Sequence, residues 1–492
     1  MENHDEAYHI WRDSGLQQRI LVHIDAHDDM HWTDQATSIA NFICPALKED
    51  LVREVYWVIP TQNWQTPKSL RRLRRRLKKI AGGYPGASSC LKVGSHQIST
   101  ALLGKPIMVC SLDNLPHIEE EVLLDIDVDF LVLANSFGES LGPETLPWCW
   151  PKELLTRLEV GHLRPVVTTI AYSVEGGYTP LKWKYLGDEL ALRLGGNGGD
   201  PQSLQGMRLM REAALAADRG DLAAAENYYQ EAGQLLPASA APPFHLALLY
   251  LDMGKTRRAQ DYYQRALALD MSYRTAYNSA GLQFYQGGRF REAAHEFRRT
   301  LALDPEDPHA LLGMGRLAAR GKHWREAEAW LRKSLVLKPV LLDAYRALGE
   351  VLARQGRRQE AIAAYEKSLM LALKGHQPLT EAIATGHQGL LDPDHFSIHG
   401  RLARLYELQG ETVRAINSYR MSIAKDADCF GSRVRLARLY LKQRQWRKSA
   451  QEAGWAATMV PQVVRKTGRR LRRALKQALR GNLSASFRPP VF

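Results

Sequence analysis

Nowhere in the 492 residues does an apolar run reach the length of about 18 needed to cross a membrane. The first 18 residues are polar and acidic, without the charged-then-apolar order of a secretory leader. A cytoplasmic protein without a membrane partner is therefore expected. Cysteine is scarce: Cys44, Cys90, Cys110, Cys149 and Cys429 are odd in number and show no Cys-x-x-Cys spacing. That excludes a disulfide framework and a zinc knuckle, and leaves reduced, structural thiols. Acidic residues are also outnumbered, 53 against 66 basic ones, for a net charge of +13. The excess is local, because eight basic residues lie between 68 and 79 and eight more between 465 and 480. Everything else is close to neutral, which argues against nucleic acid as a partner.

What the chain does contain is two stretches in which an apolar run ends in ligand-type side chains. In Arg19-Ile-Leu-Val-His-Ile-Asp-Ala-His-Asp-Asp29, a buried strand leads into Asp25, His27 and Asp29. Ligands of open α/β sheets bind beyond the carboxyl ends of strands. Period-two alternation would keep the three groups on one side while the chain stays extended. In Glu121-Val-Leu-Leu-Asp-Ile-Asp-Val-Asp-Phe130, alternation would likewise turn Asp125, Asp127 and Asp129 the same way. Converging carboxylates repel unless a cation holds them.

Strands are expected at 19–25, 52–59, 106–111, 121–129 and 165–172, separated by enough chain for crossovers, so residues 1–194 read as a parallel α/β domain. Leu70, Leu73 and Leu77 place a narrow apolar stripe on a basic helix between the second and third strands. After the last strand comes Ile170-Ala-Tyr-Ser-Val-Glu-Gly-Gly-Tyr-Thr-Pro180, with Glu175 before a Gly-Gly turn.

These motifs carry a resemblance. Asp25-Ala-His-Asp-Asp29 resembles the first signature of the arginase/ureohydrolase superfamily, and Asp125-Ile-Asp-Val-Asp129 resembles the second. More closely, residues 1–190 are similar to the small branch that includes the peptide arginases, through Glu2-Asn-His4, Ile39-Ala-Asn-Phe-Ile-Cys-Pro-Ala46, Trp57-Val-Ile-Pro60 and Gly177-Tyr-Thr-Pro180. The resemblance implies two Mn²⁺ per chain. Asp25 and Asp127 would bridge them, His27 and Asp129 would hold one, and His4 and Asp29 the other. It also implies that Glu175 grips a guanidinium group, with Asn41 and Tyr178 as further substrate contacts, and that Asp29 and Glu175 act in catalysis. The chain departs from the pattern in four places, one being the absence of the Asp-Pro that usually closes the second signature. His4 follows Glu2-Asn3 where arginases have Gly-Gly; Asp125 replaces the Ser of the second signature, which leaves open a shifted register with Asp125 and Asp127 as ligands; and His31 is the nearest residue to the place of the arginase proton shuttle, which falls near Phe42.

Beyond a Gly-rich linker at 195–205 the pattern changes to a 34-residue period. Ala225, Ala259, Ala293, Ala327 and Ala361 fall in register, each followed after four residues by Tyr229, Tyr263, Phe297, Leu331 or Tyr365. Pro237, Pro305, Pro339 and Pro461 close repeats at the matching place, and after an insertion at 376–395 the register resumes at Ala415 and Ser449. This resembles seven tetratricopeptide repeats over 206–463, an all-α superhelix whose usual ligands are peptides or protein segments. A basic tail, 464–492, follows. The expected protein is a manganese-dependent hydrolase that converts peptide arginine to ornithine and urea, with the repeats gripping the substrate. The alternatives are a non-catalytic interaction scaffold and a deacetylase-like amidohydrolase.

Overall fold

The computed structural model describes the chain except residues 3, 34–36, 86–90, 95, 134–145, 161–162, 175–178, 196–198, 276–278, 374–397, 426–429 and 459–492. Among the described residues, no helix is long and apolar enough to cross a membrane.

Seven strands form one sheet: β1 (Arg19–Ile24), β2 (Val52–Ile59), β3 (Lys92–Val93), β4 (Gln97–Leu102), β5 (Lys105–Ser111), β6 (Glu121–Asp127) and β7 (Arg164–Ala171). Their order is β3-β4-β5-β2-β1-β6-β7. The five expected strands are present and mutually parallel, but the sheet is mixed, because β3 and β4 add an antiparallel edge. This corrects the all-parallel expectation. The β4–β5 turn is Leu103-Gly104, with φ of 53° and 77°. Two positive φ values in a two-residue loop are the hairpin geometry that suits strand twist, here reached without the usual Asn-Gly or Asp-Gly sequence.

The strands bury both faces. Ile20, Val22, Ile24, Leu124 and Ile126 enter one core, while Leu21, Leu123, Val55, Trp57 and Val109 enter the other. The second core is covered by α1 (Glu6–Asp13), α2 (Ile43–Lys48) and α3 (Pro67–Ala81). Thr66 caps α3 by accepting from the Ser69 amide at 3.1 Å, and Leu73, Leu77, Ile80 and Ala81 form its buried stripe. The short α4 (Asp129–Val132), with α5 (Pro151–Val160) and α6 (Tyr185–Leu194), covers the first core. Cys44, Cys110 and Cys149 are buried free thiols, and burial pushes Cys110 and Cys149 up to about 12.

The expected linker is shorter than 195–205. Helix α7 (Pro201–Asp218) starts inside it, capped by Asp200, which accepts from the Ser203 amide at 2.8 Å. Helix pairs then follow: α7 with α8 (Leu222–Leu235), α9 (Ala241–Asp252) with α10 (Thr256–Leu269), and further pairs whose second helices are Phe290–Leu303, Trp324–Leu337, Arg358–Leu373, Thr412–Lys425 and 446–458. Ala225, Ala259, Ala293, Ala327, Ala361 and Ala415 are all fully buried, and so are Phe297 and Leu331. Gly281 and Gly313 explain why small residues recur opposite the aromatics: a Cβ on either would lie 2.6 Å or 2.4 Å from a ring carbon of Phe297.

The described residues divide into two compact units, one of residues 1–317 and one of those from 318 on. Within the first, the apolar core does not stop at residue 195. Trp150, Trp183, Tyr185, Leu186 and Leu190 share one cluster with Tyr229, Phe244 and Tyr263 of the first repeats. His245 on α9 is buried among Tyr185, Tyr229 and Phe244; its Nε2–H donates to the Lys182 carbonyl at 2.7 Å, and burial lowers its pKa to about 3. Lys184 pairs with Asp270 at 2.5 Å and Arg211 with Glu153 at 2.9 Å. A fragment of residues 1–317 should therefore melt cooperatively, whereas one of 1–194 should expose this core and bind a hydrophobic dye. Phe244→Ala in the full chain should cost roughly 3–5 kcal/mol. Matching thermal transitions for the two fragments, followed by circular dichroism, would show that the first repeats are dispensable.

Candidate metal centre

Strand β1 lies between β2 and β6, where the connections switch from one half of the sheet to the other. The crevice beyond such a switch point is where ligands of open α/β sheets sit. In the β1–β6 register His23 lies opposite Asp125, and Asp25 and Asp127 follow at the two strand ends. Alternation puts His23 and Asp125 on the side of Leu21 and Leu123, against Phe42.

Past the strand ends the ligand-type groups converge by turns rather than by alternation, which corrects the expected extended strands. Asp25 Oδ1 accepts from the His27 amide at 2.6 Å, and Asp127 Oδ1 from the Asp129 amide at 2.8 Å. Each Asp thus bonds the backbone two residues on, the local turn that Asp favours. Strand β6 ends at Asp127, and Asp129 opens α4. Asp29 adopts φ of 45°. The outcome is that His27 Nδ1 lies 2.7 Å from Asp129 Oδ2 and 3.5 Å from Asp25 Oδ1.

The N-terminal segment supplies His4 from the end of edge strand β7. The Met1 ammonium donates to the Ile170 carbonyl, the Tyr172 and Ser173 amides donate to the carbonyls of Met1 and Glu2, and the Val174 amide donates to Glu2 Oε1 at 2.6 Å. Laid along the end of β7, this segment directs His4 into the cluster. Its Nδ1 is 3.1 Å from Asp25 Oδ2, 3.1 Å from Asp127 Oδ2 and 3.3 Å from Asp29 Oδ2, and its Nε2 is 2.7 Å from Asp125 Oδ2.

All seven sequence-based ligand candidates, His4, Asp25, His27, Asp29, Asp125, Asp127 and Asp129, are therefore brought together. Three further residues join them. His23 Nδ1 meets Asp125 Oδ2 at 2.8 Å and its Nε2 is 3.4 Å from Asp25 Oδ2; Thr169 donates to Asp125 Oδ1 at 2.5 Å; Ser173, at φ of 51°, donates to Asp127 Oδ2 at 2.6 Å. The place of His23 two residues before Asp25 on the same strand face was the available signal. Thr169 is found through its register opposite Asp125. Glu175 and Tyr178 lie outside the described residues. Asn41 serves a turn, its Oδ1 accepting from the Ser38 amide at 2.8 Å and its own amide donating to the Ser38 carbonyl. His31 sits at the rim, with Nε2 3.4 Å from Asp28 Oδ1.

Charge is concentrated here among buried side chains. Asp25, Asp125, Asp129 and His23 are fully buried, and Asp29 is 8% exposed. Burial works against ionised Asp125, yet His4 and His23 hold its pKa down at about 2. Burial and then the charge of Asp25 push Asp29 up to about 7. Burial opposes protonation of His4 and His27, but Asp125 and Asp129 respectively raise them well above the ordinary histidine range. Even so, Asp25 Oδ2, Asp129 Oδ2, His4 Nδ1 and His23 Nε2 are buried without a hydrogen-bond partner. Four groupings bring ligand atoms within 4.8 Å of one another: His4-His23-Asp125, His4-Asp25-Asp127, His23-Asp25-Asp29 and Asp25-His27-Asp129. Carboxylate-rich sets with one or two imidazoles suit hard divalent ions such as Mn²⁺.

The comparisons with known proteins bear on the helical half. Models of the tetratricopeptide repeat match residues 278–341, and again 344–376 with 398–429. The chain carries tetratricopeptide repeats. A model of the Est1 DNA/RNA binding domain matches 225–286 within the same array. Among solved structures, the chain is similar to a chain of the APC/C hetero-tetramer Cut9-Hcn1, at 15% identity and a TM-score of 0.32, over 68% of this chain and 56% of that one. It therefore spans just over half the length of that chain. It is also similar to pilF of Pseudomonas aeruginosa, at 17% identity and TM-score 0.25 over 46% and 95% of the two chains. A third is YrrB, described as a TPR protein with an unusual peptide-binding site, at 20% identity and TM-score 0.25 over 44% and 97%. Comparison with curated proteins gives no match.

The cluster makes its own test. An acid whose folded pKa is raised binds its proton more tightly when folded, so the metal-free protein loses stability as the pH rises from 3.8 towards about 7, the window of Asp29. Asp29→Asn removes that penalty and should stabilise the metal-free protein above pH 7 by roughly 1–3 kcal/mol. The same substitution should shrink the gain in Tm on adding Mn²⁺. Melting with chelator and with manganese checks both; a lower Tm in chelator would contradict the account.

Proposed function

We propose that the chain couples its tetratricopeptide array to a manganese-dependent hydrolase that acts on the guanidinium group of arginine side chains in a peptide or protein. The observation that carries this is the buried cluster at the sheet's switch point, with ligand-type oxygens and nitrogens left without hydrogen-bond partners. Asp25, Asp127, His27, Asp129, His4 and Asp29 would together hold the ions. Asp125, fixed by Thr169 and shared by His4 and His23, would orient the imidazoles from behind. Two divalent ions bound there would supply a water activated at neutral pH and polarise the guanidinium carbon. His27 and Asp29, with side chains 15% and 11% exposed, mark the side from which substrate would arrive. Glu175, placed after β7 by the sequence, would grip the guanidinium, since a carboxylate pairs with two of its N–H donors at once. The repeats present an extended surface suited to a polypeptide.

A second reading is favoured by the extent of the repeats and the family models that match them: an interaction scaffold without catalysis. Metal analysis separates the two. After reconstitution with manganese the chain should hold about two divalent ions, and Asp25→Asn or Asp127→Asn should lower this sharply. Glu175→Gln should abolish urea release from arginine peptides while keeping the metal. Purified, reconstituted protein without transition metal would leave the scaffold reading in place.

A further inference from the structure

Between Glu54 and Asp113 the chain contains ten Lys and Arg residues and no Asp or Glu. Eight of the ten lie on α3. Because Leu73, Leu77 and Ile80 turn inward, Lys68, Arg71, Arg74, Arg75 and Lys78 are left exposed on the outer face, and none of them meets a carboxylate among the described residues. Over 15 residues this face is roughly 22 Å long. One basic residue behaves differently. Arg76 reaches inward and its Nε–H donates to Asp28 Oδ2. Asp28 lies between His27 and Asp29, the two most exposed members of the cluster. The turn after α3 continues the attachment, since the Tyr84 hydroxyl donates to the Met30 carbonyl at 2.7 Å and the Tyr84 ring packs on Trp32 at 5.2 Å. The basic face and the open side of the metal centre are therefore held together.

We propose that the outer face of α3 docks an acidic stretch of the polypeptide substrate, so that the arginine acted on lies beside glutamate- or aspartate-rich sequence. An extended segment of about six residues spans the face. Single-stranded nucleic acid would also answer the charge, but stacking its bases takes exposed aromatic platforms. Trp32 and Trp64, the tryptophans beside this helix, are packed against the apolar core instead. Exposed charges of this kind set partner choice and association rate, and their effect is screened within about 10 Å at 0.1 M salt.

The substrate assignment rests on the hydrolase reading, whereas docking is read independently by binding. The full chain, reconstituted with manganese, is titrated into two labelled peptides with one arginine each, flanked either by a run of glutamates or by the same run of glutamines, and followed by fluorescence anisotropy. The glutamate peptide should bind at least about tenfold more tightly at low salt, with the advantage shrinking as salt is raised. Arg74→Gln/Arg75→Gln/Lys78→Gln should remove the preference, and the triple Glu variant should reverse it. Arg257→Glu, on an exposed position of α10, should leave it unchanged. Equal affinity for the two peptides, or an unaltered preference in both triple variants, overturns the proposal. So does displacement of the glutamate peptide by oligothymidylate at a lower concentration than by unlabelled glutamate peptide. If the binding preference holds but no peptide yields urea, the hydrolase reading fails and docking stands. If both peptides yield urea with equal kcat/KM and bind alike, docking fails and the hydrolase reading stands.

Discussion

Mutual repulsion among buried carboxylates is the constraint on which the α/β part of this protein turns. Asp25, Asp29, Asp125 and Asp127 surround His4, Asp129 faces His27, and burial alone would raise the pKa values of Asp25, Asp29, Asp125 and Asp129. The fold answers with imidazoles: His4 and His23 flank Asp125, and His27 faces Asp129. The answer is partial. Asp29 and Asp129 remain shifted upward, and several ligand atoms keep no hydrogen bond. A sheet with apolar groups on both faces has no reason to gather such a set for stability, since the attraction between buried charges often fails to repay their desolvation.

The cluster depends on elements distant in sequence. Two adjacent parallel strands bring Asp25 and Asp127 to one level, turns built by those same residues fold His27 and Asp129 together, and a segment hydrogen-bonded along the end of β7 delivers His4. Helix α3 then fastens the loop that follows the first motif through Arg76 and Asp28. The helix that carries the most positive charge is thus also the one that steadies the most exposed part of the centre.

On the other face, the core under α5 and α6 is completed by the first repeats. Trp183, Tyr185 and His245 occupy a joint in which the imidazole is kept neutral by burial, so the linkage is apolar and insensitive to pH over the ordinary range. The sheet and the first repeats are consequently not independent modules in this part of the chain.

The sequence by itself determined the repeats, because a 34-residue period of small and aromatic residues has one structural solution, and Ala225 through Ala415 are buried as that period requires. It also determined the five parallel strands and six of the ligand-type residues, since apolar runs ending in Asp-x-His and Asp-x-Asp are local signals; His4 came from the resemblance alone. It did not determine the antiparallel edge, whose turn is an unremarkable Leu103-Gly104, nor the way the ligand groups converge, which the local turns at Asp25 and Asp127 and the left-handed Asp29 decide against simple alternation. His23, Thr169 and Ser173 entered the site only through strand register and loop placement, and Arg76 was one arginine among many until tertiary packing turned it inward. Only the tertiary structure decided where the core of the α/β part ends, because an apolar face reads the same whether a helix of its own domain or the first repeat covers it.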